Sequence, residues 1–157
     1  MKKRRHVGLV CFVSMPLALH AQERRLQVED LMAIDVGAVR KVSSPENGVD
    51  MVCVLQPYQD RVFFAFEGQD KVNATLEAIG YQGDEGSWAV LSITGSHVDM
   101  LRVGRSRNLD LLNEHEGNHL ALPAGFEPRA CADGSHAAFS KVRYRDRLYV
   151  ILGNSSE

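Results

Sequence analysis

Residues 115–119 read His-Glu-Gly-Asn-His and match the H-E-x-x-H motif in both residue type and spacing. On a continuous helix the two histidines share a face and can bind zinc, while the glutamate activates a water molecule. The functional interpretation of this match is a small zinc-dependent hydrolase that uses His115, Glu116 and His119.

Two features of the sequence oppose that interpretation. Gly117 and Asn118 form a pair that terminates helices, and a helix that ends at Glu116 would let the two imidazoles point apart. A third ligand would have to come from a residue such as His97, Glu127 or His136, and no spacing selects one of them. We therefore expect no metal or other cofactor, and the hydrolase remains an alternative.

In the second half of the chain, short basic stretches are separated by an acidic segment. Such blocks are typical of solvated faces and protected sheet edges, and also of docking surfaces for another protein. The longest irregular stretches, residues 104–119 and 123–136, are the expected contact loops. The candidate partner-binding residues are Arg102, Arg105, Arg107, Asp110, Glu114 and Glu116.

The first 21 residues have the pattern of a secretory signal peptide. Four basic residues at positions 2–5 precede a mostly apolar run over residues 7–19, and a small residue, Ala21, ends the segment. That run is shorter than the ~20 residues that span a bilayer. We expect cleavage after Ala21, which leaves residues 22–157 as one domain, with residues 22–30 as a flexible lead-in.

Removal of this segment changes the net charge from −2 to −6, because 14 basic and all 20 acidic residues remain. An acidic, exported chain is a poor general nucleic-acid binder, since phosphate binding needs a surplus of cations. The sequence favours a periplasmic or secreted protein that does not insert into the membrane after cleavage.

Two cysteines remain after the signal peptide is removed, Cys53 and Cys131. In an oxidising compartment the simplest arrangement is a disulfide between them, which would close a long loop.

Short apolar runs predict strands, and one periodic stretch predicts a helix. Residues 51–55 and 62–66 read as two buried strands of a hairpin. Val72, Leu76 and Ile79 form a helical stripe that begins after Asp70 and ends at Gly80.

Two further hairpins are predicted, at residues 88–94 with 98–103 and at residues 138–144 with 147–152. A short helical stretch is expected over residues 109–116, with Asn108 as its cap. The pattern predicts an α+β fold: an antiparallel sheet built from hairpins, one short helix packed on it, and one disulfide.

A small exported domain of this kind is similar in format to periplasmic inhibitors and immunity proteins. The leading hypothesis is a protein-binding module that inhibits or neutralises an envelope-targeting enzyme or toxin by occlusion. Its loops would enter the cleft of the enzyme, where acidic residues of the module meet cationic groups. The alternatives are the zinc hydrolase and a structural accessory of an envelope assembly that uses a sheet edge for strand addition.

The signal peptide can be tested by mass spectrometry of the exported protein. We expect the mature chain to begin at Gln22, because export removes the basic and apolar segment. A variant with glutamate at positions 2–5 should stay unprocessed in the cytoplasm. An exported wild-type chain that still carries Met1 would contradict this expectation.

Overall fold

The structure is a computed structural model that describes residues 25–42 and 48–156. The predicted signal peptide, residues 1–21, lies outside the described residues. The described chain has the predicted α+β fold with antiparallel hairpins. Its elements in chain order are α1 Val28–Met32, β1 Val39–Lys41, β2 Met51–Leu55, α2 Gln69–Ala78, β3 Ser87–Thr94, β4 His97–Gly104, β5 Asp110–Leu112, α3 Glu114–Gly117, β6 Phe126–Pro128, β7 Cys131–Asp133, β8 Ala137–Tyr144 and β9 Arg147–Ser155.

The strands form two sheets where the sequence predicted one. The first sheet has the order β1-β8-β9-β5, and β6 also pairs with β9. The second sheet has the order β4-β3-β2-β7. All strand neighbours are antiparallel except β5 and β9, which run parallel.

The main core lies between the two sheets, where alternate residues of each strand meet. Trp88 and Val90 of the second sheet belong to one buried cluster with Phe139, Val150 and Leu152 of the first. The other face of the second sheet is covered by α2. Its side chains Val72 and Leu76 pack in a separate cluster with Cys53, Leu55 and Leu91.

Helix α2 begins two residues earlier than expected and buries Val72 and Leu76 of the predicted stripe, whereas Ile79 is the exposed C-cap. Its N-cap is Gly68, whose φ of 94° lies in the left-handed region that favours glycine. Asp70 lies in the first turn, where a carboxylate is favoured by the helix dipole. Gly80, with φ of 65°, ends the helix as predicted, and the amide of Tyr81 donates to the carbonyl of Leu76 at 2.9 Å.

The second and third predicted hairpins are both confirmed. Strands β3 and β4 pair along their whole length, from Ser87 opposite Gly104 to Thr94 opposite His97. Strands β8 and β9 pair from Tyr144 opposite Arg147 to residues near the chain end.

The first predicted hairpin is wrong. Residues 51–55 are a strand, but residues 62–66 are not. The two neighbours of β2 are β3 and β7, so both of its hydrogen-bonding edges are already occupied. The apolar run at 62–66 is therefore part of a loop.

Two other segments also differ from prediction. The expected lead-in, residues 22–30, enters helix α1 at Val28, and Leu31 is fully buried in the main core. The expected helical stretch, residues 109–116, is divided between β5 and the short helix α3, whose N-cap is Asn113. Hydrogen bonding along β9 outweighs the local helical pattern there.

The predicted disulfide is present and joins Cys53 of β2 to Cys131 of β7 across a sequence separation of 78 residues. The two cysteines are direct partners in the strand register. Within residues 25–42 and 48–156, no helix is long and apolar enough to cross a membrane.

Replacing both cysteines by alanine should lower the free energy of unfolding by about 4–5 kcal/mol, because the closed loop is long. The measurement is urea denaturation of residues 22–157. Reduced wild-type protein keeps both sulfur atoms and should lose a similar amount. Equal unfolding midpoints for the oxidised and reduced protein would contradict this prediction.

Candidate functional site

Four connections of the fold lie at the same end of the two sheets. Strand β3 is antiparallel to both β2 and β4, so the end of β2, the start of β3 and the end of β4 are neighbours. The β8–β9 hairpin joins them, because the amide of Leu148 donates to the carbonyl of Arg107 at 3.0 Å. We call this surface the loop end; it consists of residues 56–68, 79–86, 105–109 and 145–146.

The loop end is organised around the carboxylate of Asp110, which has no exposed surface. It accepts hydrogen bonds from the indole of Trp88 at 2.8 Å and from the amide of Leu111 at 3.0 Å. The Arg105 guanidinium lies 3.2 and 3.3 Å from its two oxygens, and that of Arg147 lies at 3.4 Å. One buried charge thus joins both sheets and the β4–β5 connection.

The two arginines that bind Asp110 are only partly buried, with 38% and 35% of their side chains exposed. Each guanidinium is anchored on one side and faces solvent on another. Arg107 lies between them in the chain, is exposed, and forms no ion pair within the described part of the chain. The loop end therefore presents several arginine side chains, and the ranges that form it also contain five acidic residues: Asp60, Glu67, Asp84, Glu85 and Asp146.

The loop after β2 exposes three aromatic side chains. Tyr58, Phe63 and Phe64 are 70%, 65% and 46% exposed. The loop is held in place by Val62, whose amide donates to the side chain of Asn73 at 2.8 Å and whose carbonyl accepts from it at 3.0 Å. Asn73 thus fixes the backbone of Val62, next to Phe63 and Phe64, without a strand partner.

Tyr58 is in the left-handed backbone region, with φ of 64°, which is uncommon for an aromatic residue. A hydrogen bond with the side chain of Glu85 raises the pKa of its phenol. The amide of Tyr58 donates to the carbonyl of Asp84 at 3.4 Å. The ring is thus held beside the turn that precedes β3, although most of its surface is exposed.

The same turn carries an exposed ion pair between Asp84 and Arg102 at 2.9 Å. The hydroxyl of Ser87 is the main reason that the pKa of Asp84 is lowered, and Arg102 contributes as well. Arg102 also lies over the ring of Tyr81 at 5.1 Å. Burial raises the pKa of Tyr81.

The structure divides the six predicted partner-binding residues into two groups. Arg102, Arg105 and Arg107 lie at or beside the loop end. Asp110 is also there, but it is fully buried, so it positions arginines and cannot itself contact a partner. This is a correction to its expected surface role.

The other two predicted residues, Glu114 and Glu116, lie on α3. The carboxylate of Glu114 accepts from the amide of Ala130 at 3.2 Å and from Arg129 at 3.5 Å. The Glu114 carboxylate therefore stabilises the segment in which the chain passes from β6 in the first sheet to β7 in the second. Glu116 is exposed on the same short helix.

The two histidines of the H-E-x-x-H segment do not point apart as expected. Helix α3 continues through Gly117, and the rings of His115 and His119 lie 5.1 Å apart at 90°. Both residues are exposed. Among the described residues, however, no group of three or more His, Cys, Asp or Glu side chains could hold a metal ion.

No family model, no curated protein and no solved structure matches this chain. The function must therefore be argued from the geometry of the loop end and of α3.

The sequence reasoning missed the three exposed aromatics because a run of apolar residues is typical of a buried strand. Pro57 and Asp60 did indicate a turn after β2. The information that distinguishes a strand from a loop here is the side chain of Asn73, eleven residues beyond Val62.

Asp110→Asn should lower the free energy of unfolding by about 2–4 kcal/mol, because it removes a buried charge that two arginines bind. Urea denaturation of residues 22–157 measures this change. Asp84→Asn is the matched control, since its ion pair with Arg102 is half exposed on both sides and should contribute little. Similar losses in the two variants would contradict a central role for Asp110.

Proposed function

We propose that this protein is an exported protein-binding module that inhibits or neutralises an envelope-targeting enzyme by covering its active site. The observation that carries this proposal is the loop end. There, exposed aromatic side chains and arginines extend from loops on a framework built from both sheets, and Tyr58 is close enough to Arg105 for its phenol to feel the arginine charge. Tyrosine, phenylalanine and arginine are enriched where proteins bind one another, and tyrosine and arginine often dominate the binding energy.

The rigidity of the loop end supports a binding role. Ordering flexible loops on association costs free energy, and preorganised loops avoid much of that cost. The backbone of Val62 is held by Asn73, and the side chains of Arg105 and Arg147 are held by Asp110. A partner would thus meet side chains that are already in position.

The exposed arginines at and beside the loop end indicate one kind of group that the partner must offer. Arg105, Arg107 and Arg147 are partly or fully exposed, and Arg145 lies over the exposed ring of Tyr144 at 5.2 Å. Carboxylate groups bind guanidinium groups well. We infer that the partner presents carboxylates beside an apolar patch that receives Tyr58, Phe63 and Phe64.

Glycoside-cleaving enzymes of the envelope fit that description as a class, because their active sites carry paired carboxylates in an open cleft. The earlier expectation that acidic residues of this protein meet a cationic target is replaced here by the opposite polarity. We also propose that the protein is exported to the periplasm or secreted. This location is supported by the basic residues at positions 2–5 and by the Cys53–Cys131 disulfide.

A second candidate function is strand addition within an envelope assembly. Strand β4 is eight residues long and lies at the edge of the second sheet. Its outer side makes no backbone hydrogen bond to another described strand. Such an edge can accept an extended segment of another protein. This second function, however, would give the loop end no role.

The test of the proposal is a pull-down with residues 22–157 as bait, from periplasm and from the secretions of neighbouring cells. Captured proteins are identified by mass spectrometry, and each is assayed for hydrolytic activity with and without the bait. We expect one exported enzyme that loses activity at equimolar bait. If no exported enzyme is captured and inhibited at micromolar concentration, the proposal fails.

Variants show whether the loop end makes the contact. Phe63→Ser with Arg107→Ala should weaken binding by at least about 30-fold, because truncating an interface hot spot costs about 2 kcal/mol or more. The matched control is Met32→Ser with Lys41→Ala, which changes one exposed apolar and one exposed basic residue near α1 and β1. Equal loss in both double variants, or loss in neither, would exclude the loop end as the contact surface.

A further inference from the structure

We propose that His115 and His119 form a binding site for one divalent transition-metal ion, Zn²⁺ or Cu²⁺, on the surface of α3. Their ring centres are 5.1 Å apart. Two imidazoles that share one tetrahedral zinc, with each nitrogen about 2.0–2.1 Å from the metal, have ring centres about 5 Å apart. The rings are therefore already at the separation that shared coordination requires.

The turn that carries the two histidines is fixed by contacts at both of its ends. The side chain of Asn113 accepts a hydrogen bond from the amide of Glu116 at 2.8 Å and caps the start of the helix. Beyond the helix, the amide of His119 donates to the carbonyl of Glu116 at 3.2 Å. The turn thus extends through His119, which keeps both imidazoles on one side.

Gly117 brings this turn close to the first sheet. A Cβ atom at this position would lie 3.1 Å from Ile151 and 3.3 Å from Pro128, closer than most van der Waals contacts. Helix α3 ends at the predicted Gly117-Asn118 pair, with Asn118 as its C-cap. Because Gly117 has no side chain, the helix lies close to β6 and β9, with His115 and His119 exposed.

The donor set selects the class of metal. Two neutral imidazoles suit Zn²⁺ and Cu²⁺, whereas Mg²⁺ and Ca²⁺ prefer oxygen ligands. Since both histidines are exposed, the remaining coordination positions open to solvent, where water or a group from another molecule can bind. This site differs from the zinc hydrolase considered above, because it needs no third protein ligand and no catalytic role for Glu116.

The experiment is calorimetric titration of the mature, untagged protein with ZnCl₂ and, separately, with CuCl₂. We expect one saturable site per chain for each metal and none for MgCl₂. Either His115→Ala or His119→Ala should weaken binding on the order of 100-fold, because the second imidazole binds intramolecularly once the first is bound. The proposal does not depend on the partner-binding function, so either can fail alone.

The matched controls are His97→Ala and His136→Ala, which remove exposed histidines elsewhere on the protein. Both should bind zinc as the wild type does. In a second measurement, side-chain nitrogen resonances recorded by NMR should shift on zinc addition for His115 and His119 and for no other histidine. No saturable binding, equal weakening by the control variants, or shifts at other histidines would overturn the proposal.

Discussion

The buried carboxylate of Asp110 is the interaction on which the loop end depends. A charge with no exposed surface is costly unless it is paired and hydrogen-bonded, and here it binds Trp88, Arg105, Arg147 and the backbone of Leu111. These partners come from the second sheet, the β4–β5 connection and the first sheet. A single group therefore sets how the sheets meet at this end.

A second constraint operates where the chain passes from one sheet to the other. Strand β6 pairs with β9 in the first sheet, and β7 pairs with β2 in the second, only two residues later. The disulfide fixes Cys131, the first residue after the crossing. The carboxylate of Glu114 binds Arg129 and Ala130, which lie between β6 and β7. Helix α3 is thereby fixed to the same crossing, which places His115 and His119 on a supported turn.

Local pattern predicted those elements whose partners are close in sequence. The β3–β4 and β8–β9 hairpins and helix α2 follow from turn residues and apolar spacing within about 20 residues. Residues 62–66 and 109–116 were misread because their structure depends on distant groups. Residues 62–66 lie beside a strand whose edges are taken by β3 and β7, while residues 110–112 become a strand by pairing with β9.

The sequence by itself determined the α+β class, the two confirmed hairpins, helix α2 and the pairing of Cys53 with Cys131. Each depends on short-range periodicity or, for the cysteines, on there being two beyond the predicted signal peptide. The tertiary structure alone decided that Asp110 is buried, that Phe63 and Phe64 are exposed, and that the imidazoles of His115 and His119 approach each other. The physical reason is that burial and side-chain contact depend on which remote strands pair, and the apolar and charge patterns of a segment do not specify its remote neighbours.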